Sequence, residues 1–222
     1  MKEKFLNNPI IKKGFNVRYC WLASLCTAFI MVVVYYCYDL FPFGDMTILR
    51  MDLYHQYGPL FAELNDRVKS LESLLYSWNS GGGGAFLGNF YNYLSSPTAI
   101  FMLLFGHKNM PEAIAAMVLT KASVASFTFS FFISKKFNIQ NPLTAAFGVL
   151  YACSGYFIAY YWNIMWLDAF YLFPLVMLGI EYLISKRKMK LYTITLALTL
   201  ITNYYMGYMV CIFSVLFFIY NY

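Results

Sequence analysis

The sequence predicts an all-α protein: a polytopic transmembrane helical bundle with one large extracytoplasmic loop containing amphipathic and re-entrant helices. Three observations predict it. The chain is 61% hydrophobic and only 12% charged, whereas a soluble domain carries roughly 25% charged residues. Its apolar residues are gathered into long runs almost free of charge, and about 18 such residues cross a bilayer core as a helix. Its basic residues lie between those runs with a strong bias to one side.

Residues 19–38 hold no charged side chain and form the first predicted span. Residues 113–134 form the second, interrupted only by Lys121. Residues 137–167 are charge-free and hold a third, placed at 142–161. Residues 166–184 give a fourth, with acids near both ends. The tail 191–222 has no charge at all. Its 32 residues are too long for one untilted helix, and Asn203-Tyr-Tyr-Met-Gly207 reads as the break between two short ones. The chain stops inside an apolar stretch, Phe217-Phe-Ile-Tyr-Asn-Tyr222, which reads as a truncated copy or an N-terminal portion of something larger.

Cytoplasmic segments of membrane proteins are enriched in Lys and Arg. With the N-terminus inside, the inner segments hold Lys2, Lys4, Lys12, Lys13, Arg18, Lys135, Lys136, Lys186, Arg187, Lys188 and Lys190, eleven in all. The long segment 42–110 holds only four, Arg50, Arg67, Lys69 and Lys108. This gives an inner tail at 1–18, a first span at 19–41, an extracytoplasmic loop at 42–110 and a bundle of four to five further spans at 111–222. The net charge of +6 is used up by this topology, so no basic patch is left for nucleic acid. The first apolar run is longer than the hydrophobic region of a signal peptide and lacks a small-x-small cleavage site, so it reads as an uncleaved anchor. Cys20, Cys26, Cys37, Cys153 and Cys211 lie in or beside the spans without metal-like spacing.

A 69-residue loop is too long for a connector, and loops of that size are functional or disordered. Leu53, Tyr57, Leu60, Leu64, Val68, Leu71 and Leu75 recur at helical spacing. They predict a turn over 52–57 and an amphipathic helix over 59–76, with Pro59 at its first position. Gly81 to Gly84 follow, a run that permits bending or close approach of backbone. Ser95-Ser96-Pro97 reads as a helix start, and the apolar run 98–105 is too short to span, so it predicts a re-entrant or interfacial helix. Its N-terminal amides are placed to receive a phosphate or to be capped in the ordinary way.

Acids in loops are mostly solvated. Asp52 stands out because Asp-Leu-Tyr-His-Gln-Tyr57 gathers a carboxylate, His55 and Gln56 into one turn at the membrane face, where a helical turn would put Asp52 and Gln56 on one side. Asp45 is the second loop acid of interest. Asp168 stands at the outer end of its span, as a cap or a functional charge. Lys121 is the ninth residue of its span, roughly 13 Å deep at the helical rise, and needs a carboxylate or phosphate partner, a water-filled cavity, or full extension to the surface. No HExxH, CxxC or Walker pattern accompanies His55 or His107, so a zinc site or nucleotide hydrolysis is unsupported.

Several blocks together resemble the bacterial YfhO family of multi-spanning membrane proteins. They are Phe41-Pro-Phe-Gly-Asp45, Thr47-Ile-Leu-Arg-Met-Asp52 with Gln56-Tyr57, the Gly81 to Gly84 run with Tyr91-Asn-Tyr-Leu-Ser-Ser-Pro97, Lys121, Asn163-Ile-Met-Trp-Leu-Asp168 with Pro174 and Gly179-Ile-Glu181, and Asn203-Tyr-Tyr-Met-Gly-Tyr208. The resemblance implies a C-type glycosyltransferase-like fold. It also implies use of a polyprenyl-phosphate-linked sugar on the outer face, with a cell-wall polymer such as the teichoic acid of Gram-positive bacteria as acceptor. Asp52, and after it Asp45, would then act as general base. His55, Gln56, Arg50, Lys121 and Asp168 would bind substrate, with the cations facing the departing lipid phosphate. A divalent cation could share that task, although no ligands for one are identified. Two other classes compete. In a transporter or flippase, Lys121 and Asp168 would be paired ions lining a pathway. In a non-enzymatic assembly factor, the loop would bind a partner.

Overall fold

The computed structural model describes residues 17–222, so most of the inner tail, with Lys2, Lys4, Lys12 and Lys13, lies outside the described residues. The described chain is helical. Helix α1 covers Arg18–Cys37, α2 Gly58–Ser70, α3 Phe86–Asn89, α4 Ile100–Phe105, α5 Met110–Phe137, α6 Pro142–Ala152, α7 Gly155–Tyr160, α8 Trp166–Lys186, α9 Lys190–Thr202 and α10 Tyr204–Asn221. β-pairing among the described residues is confined to two isolated bridges, Leu40 with Met46 and Ser77 with Gly84. Five stretches are long and apolar enough to cross a membrane: Arg18–Cys37, His107–Phe137, Pro142–Tyr160, Trp166–Lys186 and Tyr204–Asn221.

α5 is the central post, packed against α1, α6 and α8. Small residues set the close approaches, as expected where apolar lipid removes any hydrophobic drive for helices to associate. A Cβ on Gly148 of α6 would stand 2.5 Å from the Ser126 carbonyl oxygen of α5, and one on Gly179 of α8 would stand 2.6 Å from the Tyr192 backbone of α9. Large side chains such as Leu25, Phe29, Leu150 and Leu216 point away from the bundle. The main buried cluster lies where the loop meets the bundle, drawing Leu53, Phe61, Phe86 and Met102 onto Ile114, Met117 and Leu167.

Two spans break at polar residues, and one of these caps the helix that follows. The third predicted span is divided at Cys153 and Ser154, with Ser154 extended ahead of α7. The tail breaks at Asn203 itself: its backbone is extended, and its side-chain oxygen accepts the Met206 amide at 2.8 Å, capping α10. Gly207 serves packing, since a Cβ there would meet Leu200 at 2.8 Å.

The loop departs from its predicted helix. α2 stops at Ser70, and Leu71 takes a left-handed conformation (φ 55°). Leu71 and Leu75, expected on the buried stripe, are 91% and 67% exposed. The cause is Arg67, which reaches back along the reversed chain. Its Nη1 donates to the Ser73 carbonyl at 2.6 Å, its Nε to Glu63 at 2.8 Å, and its guanidinium covers the Phe86 ring. The Ser77 hydroxyl donates to the same Glu63 carboxylate at 2.5 Å. This clamps the glycine turn onto α2. Gly81, Gly82 and Gly83 all have positive φ, a conformation glycine adopts without steric cost.

Candidate functional site

The site has a buried layer and an exposed layer. The buried layer is built on Lys121 of α5 and Asp168 of α8, both with fully buried side chains. Lys121 Nζ donates to Asp168 Oδ2 at 2.5 Å, to the Ile164 carbonyl at 2.9 Å and to Ser96 Oγ at 3.0 Å. The Ser96 hydroxyl donates to Asp168 Oδ1 at 2.9 Å, and Tyr171 lies against the same carboxylate. An ammonium has three hydrogens, so every donor of Lys121 is engaged inside the protein. Desolvated charges are tolerated only when paired and fully hydrogen-bonded, and this pair meets that condition.

Ser96 also accepts the Thr98 amide at 3.2 Å, capping the 3₁₀ turn Pro97–Ala99 that leads into α4. Neighbouring Ser95 donates to the Ile201 carbonyl at 2.8 Å, and Asn203 donates to the Asn92 carbonyl at 3.0 Å. One turn of the loop is therefore tied to α5, α8 and the break between α9 and α10. Fifteen residues separate Lys121 from Lys136, and eighteen separate Asp168 from Lys186, roughly 22 and 27 Å of helix. With a core of roughly 30 Å, the pair stands near the end of the bundle opposite its basic end.

The exposed layer is the segment 45–57. Asp45 is exposed on a turn closed by Met46 N donating to the Asp39 carbonyl at 2.8 Å. Met51 has a positive φ of 49°. Leu53–Tyr57 then forms one π-helical turn, which buries Leu53 and Tyr57 and leaves Tyr54, His55 and Gln56 exposed. The wider turn changes which residues align: Asp52 meets Tyr57, five residues on, instead of Gln56. Asp52 and Arg50 are exposed, and the charge of Arg50 reaches the Tyr161 phenol. His55 and Gln56 face a separate cleft shared with Asp66, Asn79, Asn89 and His107. Among the described residues, no group of three or more His, Cys, Asp or Glu side chains converges to hold a metal ion.

Tyr57 joins the layers. Its hydroxyl lies 3.1 Å from Asn163 Oδ1 and 3.4 Å from Asp52 Oδ2, while its ring stacks on Tyr93 with centroids 5.3 Å apart. Burial first, then the Asp52 charge and Tyr93, push its phenol well above the ordinary range and keep it neutral. One hydroxyl hydrogen cannot serve both oxygens, and Asn163 Nδ2 is buried without a partner. Exchanging the amide's oxygen and nitrogen, which are told apart only by their hydrogen bonds, resolves both problems. Asn163 then donates to Tyr57, and Tyr57 donates to Asp52. Tyr57→Phe strips the amide of its partner and is expected to cost about 1–3 kcal/mol, read by thermal unfolding in detergent. Adding Asn163→Ala to it should cost little more; a fully additive second loss would show that the two side chains act independently.

Asn163, Ile164 and Asp168 belong to one short segment that serves both layers. The model of a family described as bacterial membrane protein YfhO matches residues 23–222. The chain belongs to that family. It is accordingly a multi-pass membrane protein, and the YfhO match takes in both layers and the α9–α10 break. No curated protein and no solved structure matches the chain. Among the residues that build the candidate site of this YfhO-family chain, Ser96, Tyr57 and Asn163 carry contacts that sequence reasoning does not reach. Their contacts span 72 residues from Ser96 to Asp168 and 106 from Tyr57 to Asn163. The one local sign was the position of Ser96 just before Pro97.

Proposed function

We propose that this chain is a membrane glycosyltransferase that moves a sugar from a polyprenyl-phosphate donor to a cell-wall polymer such as teichoic acid on the outer face of the membrane. The observation that carries this reading is the Asp52 carboxylate. It is exposed, it is held from behind by Tyr57 and Asn163, and it is mounted on a strained turn above a loop segment fastened to the bundle. Left-handed backbone at a non-glycine residue and single π turns both concentrate at functional sites.

In this reading Asp52 takes the proton of an acceptor hydroxyl as its oxygen attacks the anomeric carbon. The new C–O bond forms as the bond from that carbon to the lipid phosphate breaks, and the phosphate leaves with the electron pair. Arg50, exposed two residues away, is the cation available to the growing phosphate charge. Lys121 and Asp168 act one layer below. With no donor left over, Lys121 supports the site by fastening the 92–98 turn as a re-entrant element, and no step is routed through a metal ion. Full burial of both ions also weighs against a pathway lined by them.

Two measurements test the reading. Membranes containing the chain, supplied with a polyprenyl-phosphate-linked sugar and teichoic acid, should yield glycosylated polymer, and absence of transfer across the common cell-wall sugars would overturn it. The charge bias supports an outer loop, so Ser80→Cys at the glycine turn should react with an impermeant thiol reagent on intact cells. Protection there until the cells are opened would reverse the orientation.

A further inference from the structure

The cleft that His55 and Gln56 face, on the turn that follows Asp52, has chemistry of its own. It encloses about 720 Å³ between the π turn, α2, the glycine turn and the start of α5. That volume lies within the range of small-molecule sites, which combine apolar walls with a few convergent polar groups. Here the apolar part comes from residues such as Leu49, Pro59 and Met110, and the polar part from Gln56, Asn79, Asn89, Asp66, His55 and His107. Three of these are amides, each able to donate and accept. No Lys or Arg lines the cleft. Arg67 of α2 is committed to Glu63 and Ser73. His107 faces Asp66 at 3.6 Å. Two carboxylates, Glu63 and Asp66, stand in the wall, Glu63 paired with Arg67, so an anion entering would meet the Asp66 charge with no Lys or Arg in the lining to offset it.

The backbone is shaped around this opening. The π turn rotates His55 and Gln56 outward into the cleft while Leu53 and Tyr57 anchor it from below. Gly58, which completes the turn, leaves little room for a side chain: a Cβ would lie 3.0 Å from the Leu53 carbonyl oxygen.

We infer that this cleft binds a neutral, hydroxyl-bearing unit, a glycosyl or polyol segment, and excludes phosphate. The inference deepens the transferase reading by naming the part of the acceptor that sits next to Asp52, with any phosphate of the polymer held outside the cleft. It is tested without donor lipid, so a failed binding assay and a failed transfer assay are separate results. The full chain in a detergent without a sugar headgroup is titrated with maltose, lactose and chitobiose, and binding is read by saturation-transfer NMR. At least one disaccharide is expected to bind, with inorganic phosphate failing to displace it. Replacing exposed Gln56 and half-buried Asn89 together by alanine should weaken binding at least tenfold while thermal unfolding is unchanged. The inference is overturned if none of the three sugars binds, if inorganic phosphate displaces the bound sugar, or if the stable double variant binds as well as the parent.

Discussion

Replacing Lys121 by methionine is expected to destabilise the chain by about 3–5 kcal/mol, the usual result of removing one partner from a fully buried ion pair. Asp168 would be left charged and buried, without its countercharge, in the clasp that Lys121, Asp168 and Ser96 form, with the Ser96 and Tyr171 hydroxyls still beside it. The Ile164 carbonyl would lose its donor as well. Asp168→Leu alone should be comparably harmful, because it leaves the ammonium buried. The double variant Lys121→Met with Asp168→Leu should recover most of the loss, since well-packed apolar replacements of a buried pair are often neutral. Thermal unfolding of the four proteins in detergent reads the cycle, and strict additivity of the two losses would show that the ions do not act as a pair. A second readout separates fastening from folding. Limited proteolysis at the 92–98 turn should accelerate in either single variant at temperatures where the bundle remains intact.

The clasp also shows what the sequence could and could not disclose. Lys121 was conspicuous because a charge inside an apolar run must find a partner, and Asp168 was one of few acids available to it. Ser96 was visible only as a helix start, since a serine before proline has an ordinary capping role that it does in fact fill. The spans were legible because bilayer crossing depends on composition over a long window, which a sequence displays directly. The end of α2 was not. Leu71 and Leu75 keep helical spacing, yet the chain reverses after Ser70, and Arg67 holds the Ser73 carbonyl across the turn. The π turn was hidden for the same reason: a one-residue shift in alignment leaves the apolar pattern of Leu53 and Tyr57 intact while redirecting Asp52 from Gln56 to Tyr57. Local pattern thus singles out Asp52 and Lys121, and side chains distant in sequence decide the geometry around them.

The largest effect on activity is expected at Asp52. Asp52→Asn keeps the size of the side chain and removes its basicity, so sugar transfer should fall by about 10²–10⁴-fold, the usual contribution of a general base. Stability should change little, because the side chain is exposed and surface substitutions are usually within about 0.5 kcal/mol. Tyr57 gives the internal control: it touches Asp52 from the buried side and positions the carboxylate without contacting the acceptor. Tyr57→Phe should therefore lower kcat by a smaller factor with KM nearly unchanged, and should lose its effect in the Asp52→Asn background, where there is no carboxylate left to position. Asp45→Asn separates the two loop acids. Asp45 makes no hydrogen bond or ion pair with Asp52 or Arg50 among the described residues, so it should retain transfer within a few-fold of the parent. Full transfer by Asp52→Asn together with loss in Asp45→Asn would move the base to Asp45. Full transfer by both variants would remove the loop carboxylates from the chemistry.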